Sequence, residues 1–505
     1  MGRFNLIDEA WIPVRFPDGA RAELGIRDTL LRAREIAAIE DPSPLVVAAL
    51  HRFLLAVLYR ALEGPTDIDE ARALFRDGLP GEKVTAYLET WWERFWLFDD
   101  EYPFYQVPGY TPGEWRAWPA LAAEHNADNA KVLFDHVEIA SAGDVSPATA
   151  SRWLIACQTF VLGGGNSEFK YTKGGPSAAA AMVLPLGRDL MDTLLFSLVH
   201  QNRMVAAADL PLWEREPESI ETLKSGPARR PDGHADRYTW RTRTIRLEPS
   251  ARGVERLGFA SGVGCDADDQ SDPMVAYRVD EKRGRLPVQF RERGLWRDFD
   301  SLLPDGGRDA PGVIEHARDL ARHSPRRFPH AVMVLGQANN QAKVEFWRME
   351  RFALPGALAG AANVRGEIRE LLSDAEDAQK SLWAACRSFA RDLLSRGERA
   401  PDRKDVTAFV AQMPASPWYW STLEARFHGI LREFTRDRDP DDIRLAWLVA
   451  VRDALREAWN RHAASVAGGD AWAIRAVVRA EEPVRRKLKE LGDEIARHQP
   501  GEEDP

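Results

Sequence analysis

Hydrophobic and polar positions divide the chain into two regions of different rhythm. Up to about Pro355, short alternating runs mix with helices and are broken often by glycine and proline; beyond it, apolar residues recur at three- and four-residue spacing. The opening, Phe4 to Val14, reads as an edge strand in which the turn formers Asp8 and Pro13 interrupt Leu6, Trp11, Ile12 and Val14. Ser43 caps and Pro44 opens a helix whose apolar run, Leu45 to Leu62, is stopped by Gly64-Pro65. The aromatic stretch Trp91 to Phe98 leads into Glu101-Tyr102-Pro103-Phe104-Tyr105-Gln106, too irregular for an amphipathic helix, so its rings are expected to pack. A helix carrying Trp153 and Cys157 precedes a glycine-dense stretch. Met191 to His200 then reads as a buried helix, Tyr238 to Leu247 as an alternating strand, and Ala331 to Leu335 as a buried strand.

The second region predicts four helical segments. The first, Ala361 to Ser395, carries Val364, Ile368, Leu371 and Leu372 on one stripe that Trp383, Phe389 and Leu393 extend. Ser416 and Pro417 open the second, which ends near Phe434. Asp441 and Asp442 suit the N-terminus of the third, with Ile443, Trp447, Ala450 and Ala454 as its buried stripe. In the fourth, Asp470 to His498, Pro483 demands a kink or a fresh helix starting at Glu481-Glu482. The fold class is therefore α+β: a large mixed α/β N-terminal domain over 1–355, an all-helical C-terminal four-helix bundle over 356–498, and a solvated tail over 499–505.

Composition agrees with a folded chain of at least two domains: 505 residues, 44% hydrophobic and 29% charged. No apolar stretch stands out as a bilayer span, and the acids and proline of MGRFNLIDEAWIPV do not suit a secretory signal, so a soluble protein in the cytoplasm is expected. Cys157, Cys265 and Cys386 are too scattered for a disulfide framework or a CxxC zinc knuckle. A formal charge of −10 argues against holding nucleic acid by bulk electrostatics. Basic residues nevertheless cluster at Arg229-Arg230, Lys282-Arg283 with Arg285, Arg326-Arg327, and Arg485-Arg486-Lys487 with Lys489, which are patches or simply solvated faces.

Catalytic signatures are missing. Gly163-Gly164-Gly165 and Lys173-Gly174-Gly175 lack the GxxxxGK[ST] spacing that cradles phosphate, and there is no HExxH, GxSxG or Cys/His grouping at ligand spacing. The pair Asp135-His136 leaves open a stand-alone metal-dependent hydrolase or nuclease, against a loop pair satisfied by hydrogen bonds. No metal site and no cofactor are expected.

Phe4-Asn5-Leu6-Ile7-Asp8-Glu9-Ala10-Trp11-Ile12-Pro13-Val14 resembles the start of the CasA family, the large subunits of type I-E CRISPR Cascade complexes. The resemblance continues in order through Glu101 to Gln106, the glycines at Gly163, Thr239-Trp240 to Ile245-Arg246-Leu247, and Asn339-Asn340-Gln341-Ala342, and it covers nearly the whole chain. It implies a DNA- and RNA-binding subunit without an active site. Such a subunit reads a short motif beside the target (the PAM) in double-stranded DNA through the minor groove. It wedges the duplex open so that the guide crRNA can pair in an R-loop, and a separate helicase-nuclease is then recruited for antiviral defense. The implied partners are the other Cascade subunits, crRNA, double-stranded target DNA and the helicase-nuclease effector, with no membrane.

The resemblance assigns roles to particular residues. Gln341, flanked by Asn340 and Ala342, is the wedge; read without it, the string is a polar turn after the strand Ala331 to Leu335. Gly163, Gly164 and Gly165 would press main chain against base edges; alone, they are a hinge or tight turn. Lys170 and Lys173 extend that surface toward phosphate. Lys282, with Arg283 as the near alternative, is the basic finger on a hairpin within Tyr277 to Leu286, although the zinc knuckle that precedes it in some relatives is absent here, Cys265 standing alone. Phe134, Asp135 and His136 fall where the family has a loop that contacts the RNA end or the PAM, with Phe134 either stacking on a base or latching onto its own domain. Arg485, Arg486 and Lys487 are candidates for the displaced strand or for a small subunit, or else solvated helix surface.

Overall fold

The computed structural model describes residues 4–122, 143–164, 167–170, 173–266, 271–282, 284–304, 309–322, 328–340, 343–359, 363–435, 437–466 and 468–498. Contacts divide the chain into two units, residues 1–293 with 301–351, and residues 294–300 with 352–505.

In the first unit the helix Pro44–Leu62 is the core around which the rest is wrapped. Its start follows the expected chemistry: the Ser43 hydroxyl accepts the N–H of Val46 at 3.3 Å, Pro44 fills the first turn, and Glu63 ends the helix in the left-handed region at φ 55°. By length and composition this helix could cross a membrane, contrary to the sequence reading, yet nearly all of it is buried inside the protein. It is apolar on every side because protein surrounds it: the helices Gly81–Thr90, Pro147–Phe160 and His234–Tyr238 and the strand Ala331–Asn340 all pack on it. In the aromatic stretch Trp91 to Phe98, Phe95 is buried and packs on Phe104 at 5.4 Å and Trp213 at 5.2 Å, whereas the other rings are half-buried. Phe53 meets Trp11, Phe104, Tyr105 and Trp213 edge-on, at centroid distances of 5.5 to 6.4 Å.

Three-stranded sheets and short hairpins frame this core. The opening strand, Ile12–Arg15, is not an edge: it lies between Arg21–Leu24 and Ala38–Ile39, since both downstream segments fold back onto it. The buried helix near Met191 spans Leu190–Ser197, capped by Asp189. The strand expected from Tyr238 starts at Arg243 and runs to Pro249, because Tyr238 closes the helix His234–Tyr238. It pairs antiparallel with Val254–Ser261. Another sheet has the order Lys343–Ala353, Ala331–Asn340, Met182–Leu186, with Ala331 opposite Leu186 and Leu335 opposite Met182.

The second unit contains the helices Val364–Ser395, Ala415–Glu433, Pro440–Val466 and Glu482–His498, with the long first helix against each of the other three. Two shorter helices join them. Arg403–Gln412 was not legible in the pattern, and Pro483 produces a fresh helix, not a kink, after Ala471–Ala480. Trp296 belongs to this unit and sits among Trp420, Phe427 and Trp447. Trp383 does not extend the buried stripe: it is 40% exposed, with the Arg387 guanidinium 4.7 Å from its ring.

Candidate nucleic-acid interface

Three segments far apart in sequence meet in the first unit around a cavity of about 290 Å3. Leu162 and Gly163 line it beside Gly174 to Ala180; Asn339 comes from the strand Ala331–Asn340, and Pro287 from the hairpin of Tyr277–Asp280 and Gly284–Pro287. They correspond to the predicted glycine element, the end of the strand that leads to the predicted wedge, and the root of the predicted basic finger.

The glycine element is held at its neck. Gly163 and Gly164 follow the helix Pro147–Phe160 and are half-buried. Gly174 packs so close that a Cβ there would lie 3.1 Å from the Gly163 nitrogen, and a Cβ on Gly175 would lie 2.9 Å from the Thr159 carbonyl oxygen. A side chain at Gly175 would force main chain to shift, and one at Gly174 would need its neighbour to give by a few tenths of an ångström. Further along, Phe169 enters a buried cluster with Val107, Tyr110, Leu223 and Trp240. Lys170 is exposed, but its ammonium donates to the Ser225 carbonyl at 2.9 Å, and Lys173 is 3.4 Å from Asp266. Both lysines therefore already have protein partners. Gly165 lies outside the described residues.

The strand leading to the predicted wedge continues past Leu335 to Asn340, so Asn339 and Asn340 are strand residues. Gln337 is fully buried and its amide donates to the carbonyls of Phe160, at 2.6 Å, and Ala178, at 3.0 Å, tying the strand to both sides of the glycine element. Asn340 is exposed at the strand's end, and Lys343–Ala353 lies beside this strand in the sheet. Gln341 and Ala342 lie outside the described residues.

The finger hairpin has a firm root and an exposed tip. Tyr277 pairs with Pro287 and Asp280 with Gly284, whose φ of +74° favours glycine in the turn. At the root, the Arg285 guanidinium lies 3.9 Å from the Tyr277 ring, 3.1 Å from Asp309 and against the Ser271 hydroxyl. Lys282 is exposed in the turn, its N–H donating to Asp280 at 2.9 Å. Arg283 lies outside the described residues.

A buried carboxylate joins the finger root to the glycine element. Asp272 accepts from Ser177 at 2.6 Å and pairs with Arg52 of the core helix at 2.8 Å, and its N–H donates to the Tyr277 hydroxyl at 2.9 Å. Burial would raise its carboxyl, but the charges of Arg52 and Arg237 and the Ser177 hydroxyl bring it down to about 2. Sequence reading missed this residue, since a lone Asp in a loop carries no signal of its partners. It also missed Arg243, although an arginine in phase with Ile245 and Leu247 on the inward face of a strand is a detectable anomaly.

The remaining candidates lie elsewhere. Arg485, Arg486 and Lys487 belong to the second unit, on the helix Glu482–His498; the two arginines are exposed and Lys487 lies 3.5 Å from Glu490. Phe134, Asp135 and His136 lie outside the described residues. Among the described residues, no three His, Cys, Asp or Glu side chains gather as a metal ion would need.

Residues 5–458 match the family described as CRISPR-associated protein Cse1. A protein of Thermus thermophilus named CRISPR-associated protein CasA/Cse1 is 34% identical over 98% of this chain and 99% of its own length. The crystal structure of CasA from Thermus thermophilus superposes with a TM-score of 0.86 at 33% identity, over 97% of this chain and all of that one. Cse1 from Acidimicrobium ferrooxidans gives 0.78 at 26% identity, over 98% and 99%. A chain of a CRISPR RNA-guided surveillance complex, 21% identical, shares the fold with a TM-score of 0.71 over 97% and 100%.

Proposed function

The chain belongs to the CRISPR-associated Cse1 family, the CasA-type large subunits of Cascade, and from that premise we propose that it reads the PAM of a type I-E target. In this reading it works in the cytoplasm without an active site of its own. It docks among the other Cascade subunits and the crRNA, enters the minor groove of double-stranded DNA, and opens the duplex so that the crRNA can pair.

The observation that carries the reading is the meeting of three segments at one cavity: Gly163 and Gly174, Asn339 beside the wedge tip, and Pro287 at the finger root. Glycine main chain offers N–H donors without side chains in the way, which suits the acceptors on the minor-groove edges of bases. Asn340 and Gln341 carry amides able to donate and accept at a base step, and Ala342 keeps the tip narrow. Lys282 supplies a cation at the end of a stiff hairpin. Minor-groove reading accepts A·T and T·A alike, so several related motifs should serve. Phe134, Asp135 and His136 are assigned to the RNA end or the PAM, and Arg485, Arg486 and Lys487 to the displaced strand or a small subunit. The acidic total fits a subunit that meets DNA through a few patches while others hold the RNA. Once the strands part, the helicase-nuclease is recruited to do the cutting.

Complexes carrying Asn340→Ala or Gln341→Ala test this on duplexes with and without the motif, with strand opening followed by a fluorescent base analogue. Assembly should be spared while opening of the motif-bearing duplex falls by about tenfold or more, as for loss of one specific contact. Unchanged opening in both variants would refute the wedge.

A further inference from the structure

Arg243 is 2% exposed, yet its guanidinium makes no ion pair among the described residues. Its hydrogen bonds go to main-chain carbonyls. Nη2 donates to Leu162 at 2.6 Å, and Nη1 donates to Lys173 at 2.7 Å and to Thr242 at 2.8 Å. Leu162 and Lys173 are the two residues that bracket the glycine segment, so one planar fork grips both ends of its neck. The fork is itself held, since the main chain of Arg243 donates to and accepts from the Gln158 amide at 2.8 and 2.9 Å. Burial lowers the guanidinium to about 10, which still leaves it charged at neutral pH.

A buried cation with no acidic partner among the described residues carries a desolvation cost that an apolar side chain of similar volume would avoid. What the guanidinium supplies and an apolar chain cannot is a fixed span between two carbonyls, with directional donors at each. The neck it fixes leads straight into Gly163 and Gly164. A segment whose ends are already fixed loses less conformational freedom on meeting a duplex than one that must order them.

We propose that Arg243 is the positioning residue of the glycine segment: without touching DNA, it sets the neck so that the Gly163-Gly164 main chain meets the groove in register. This rests on the minor-groove reading above. It makes Arg243 a determinant of motif discrimination, distinct from the residues that contact the duplex.

The test uses assembled complexes containing the wild-type chain, Arg243→Met or Arg243→Lys. Three quantities are measured: the ratio of affinities for duplexes with and without the motif, the thermal midpoint, and amide exchange in the peptides covering 173–175. Arg243→Met should assemble with a midpoint near wild type, lose protection in those peptides, and lower the affinity ratio by about tenfold. Arg243→Lys keeps the charge without the fork and should fall between the two. A wild-type ratio in Arg243→Met while Gln341→Ala loses it would overturn this proposal and leave the functional reading standing. Should the methionine variant not assemble, a wild-type ratio in Arg243→Lys overturns it equally. No motif preference in the wild-type complex would sink the functional reading and this proposal with it.

Discussion

Arg52 and Asp272 form an ion pair at 2.8 Å with each side chain only 1% exposed, and through it the core helix holds the finger root and the far side of the glycine element. Its partners are Ser177 at the cavity wall and Tyr277 in the finger. The pair ties the candidate interface to the long, largely buried helix Pro44–Leu62.

Removing one member should therefore be severe. Asp272→Ala strands a buried guanidinium and is expected to cost about 3 to 5 kcal/mol of unfolding free energy in urea, while Arg52→Met combined with Asp272→Leu should recover most of it. Asp272 titrates at about 2 in the folded chain, below its value when unfolded. Its contribution is thus fully present above about pH 4 and is lost as pH falls through 2. A double variant no more stable than Asp272→Ala would contradict the account.

Two glycines should respond in opposite directions. At Gly175 a Cβ meets the Thr159 carbonyl at 2.9 Å and the Thr242 hydroxyl at 3.1 Å, so Gly175→Ala should destabilise the first unit by about 1 to 3 kcal/mol through overpacking. At Gly492, inside the helix Glu482–His498, nothing lies within 4 Å, and Gly492→Ala should stabilise by about 0.5 to 1 kcal/mol. Equal effects at the two sites in chemical denaturation would show that the neck is looser than described.

Asp374 in the helical unit sets a pH dependence of the other sign. Burial pushes its carboxyl up to about 6, against the pull of Arg444 at 3.5 Å. A raised folded value means that stability is fully present below the unfolded value near 4 and is lost as pH rises through 6. Asp374→Asn should accordingly raise the thermal midpoint at pH 7.5 by a few degrees, about 1 kcal/mol after solvent screening, and the gain should vanish below pH 4. Arg444 keeps Glu370 and Glu494, each at 2.9 Å, so the substitution leaves it paired. A gain that persists unchanged at pH 4 would rule out titration of Asp374 as its source.

By itself the sequence determined what depends on near neighbours along the chain. Ser43 and Pro44 start the core helix, the apolar spacing gives the long helices of the second unit, and Pro483 limits how far one helix can run, because capping, side-chain period and a missing N–H act within a few residues. The tertiary structure alone decided what depends on distant partners. The opening strand is central because two later segments pair with it, Trp383 faces out although its spacing matches a buried stripe, and the helix Arg403–Gln412 forms without a strong local pattern. At the candidate interface the division is the same: the glycines and amides announce themselves by residue type. That Arg243 grips Leu162 and Lys173, and that Asp272 meets Arg52 across 220 positions, follows from packing that brings remote segments within hydrogen-bond reach.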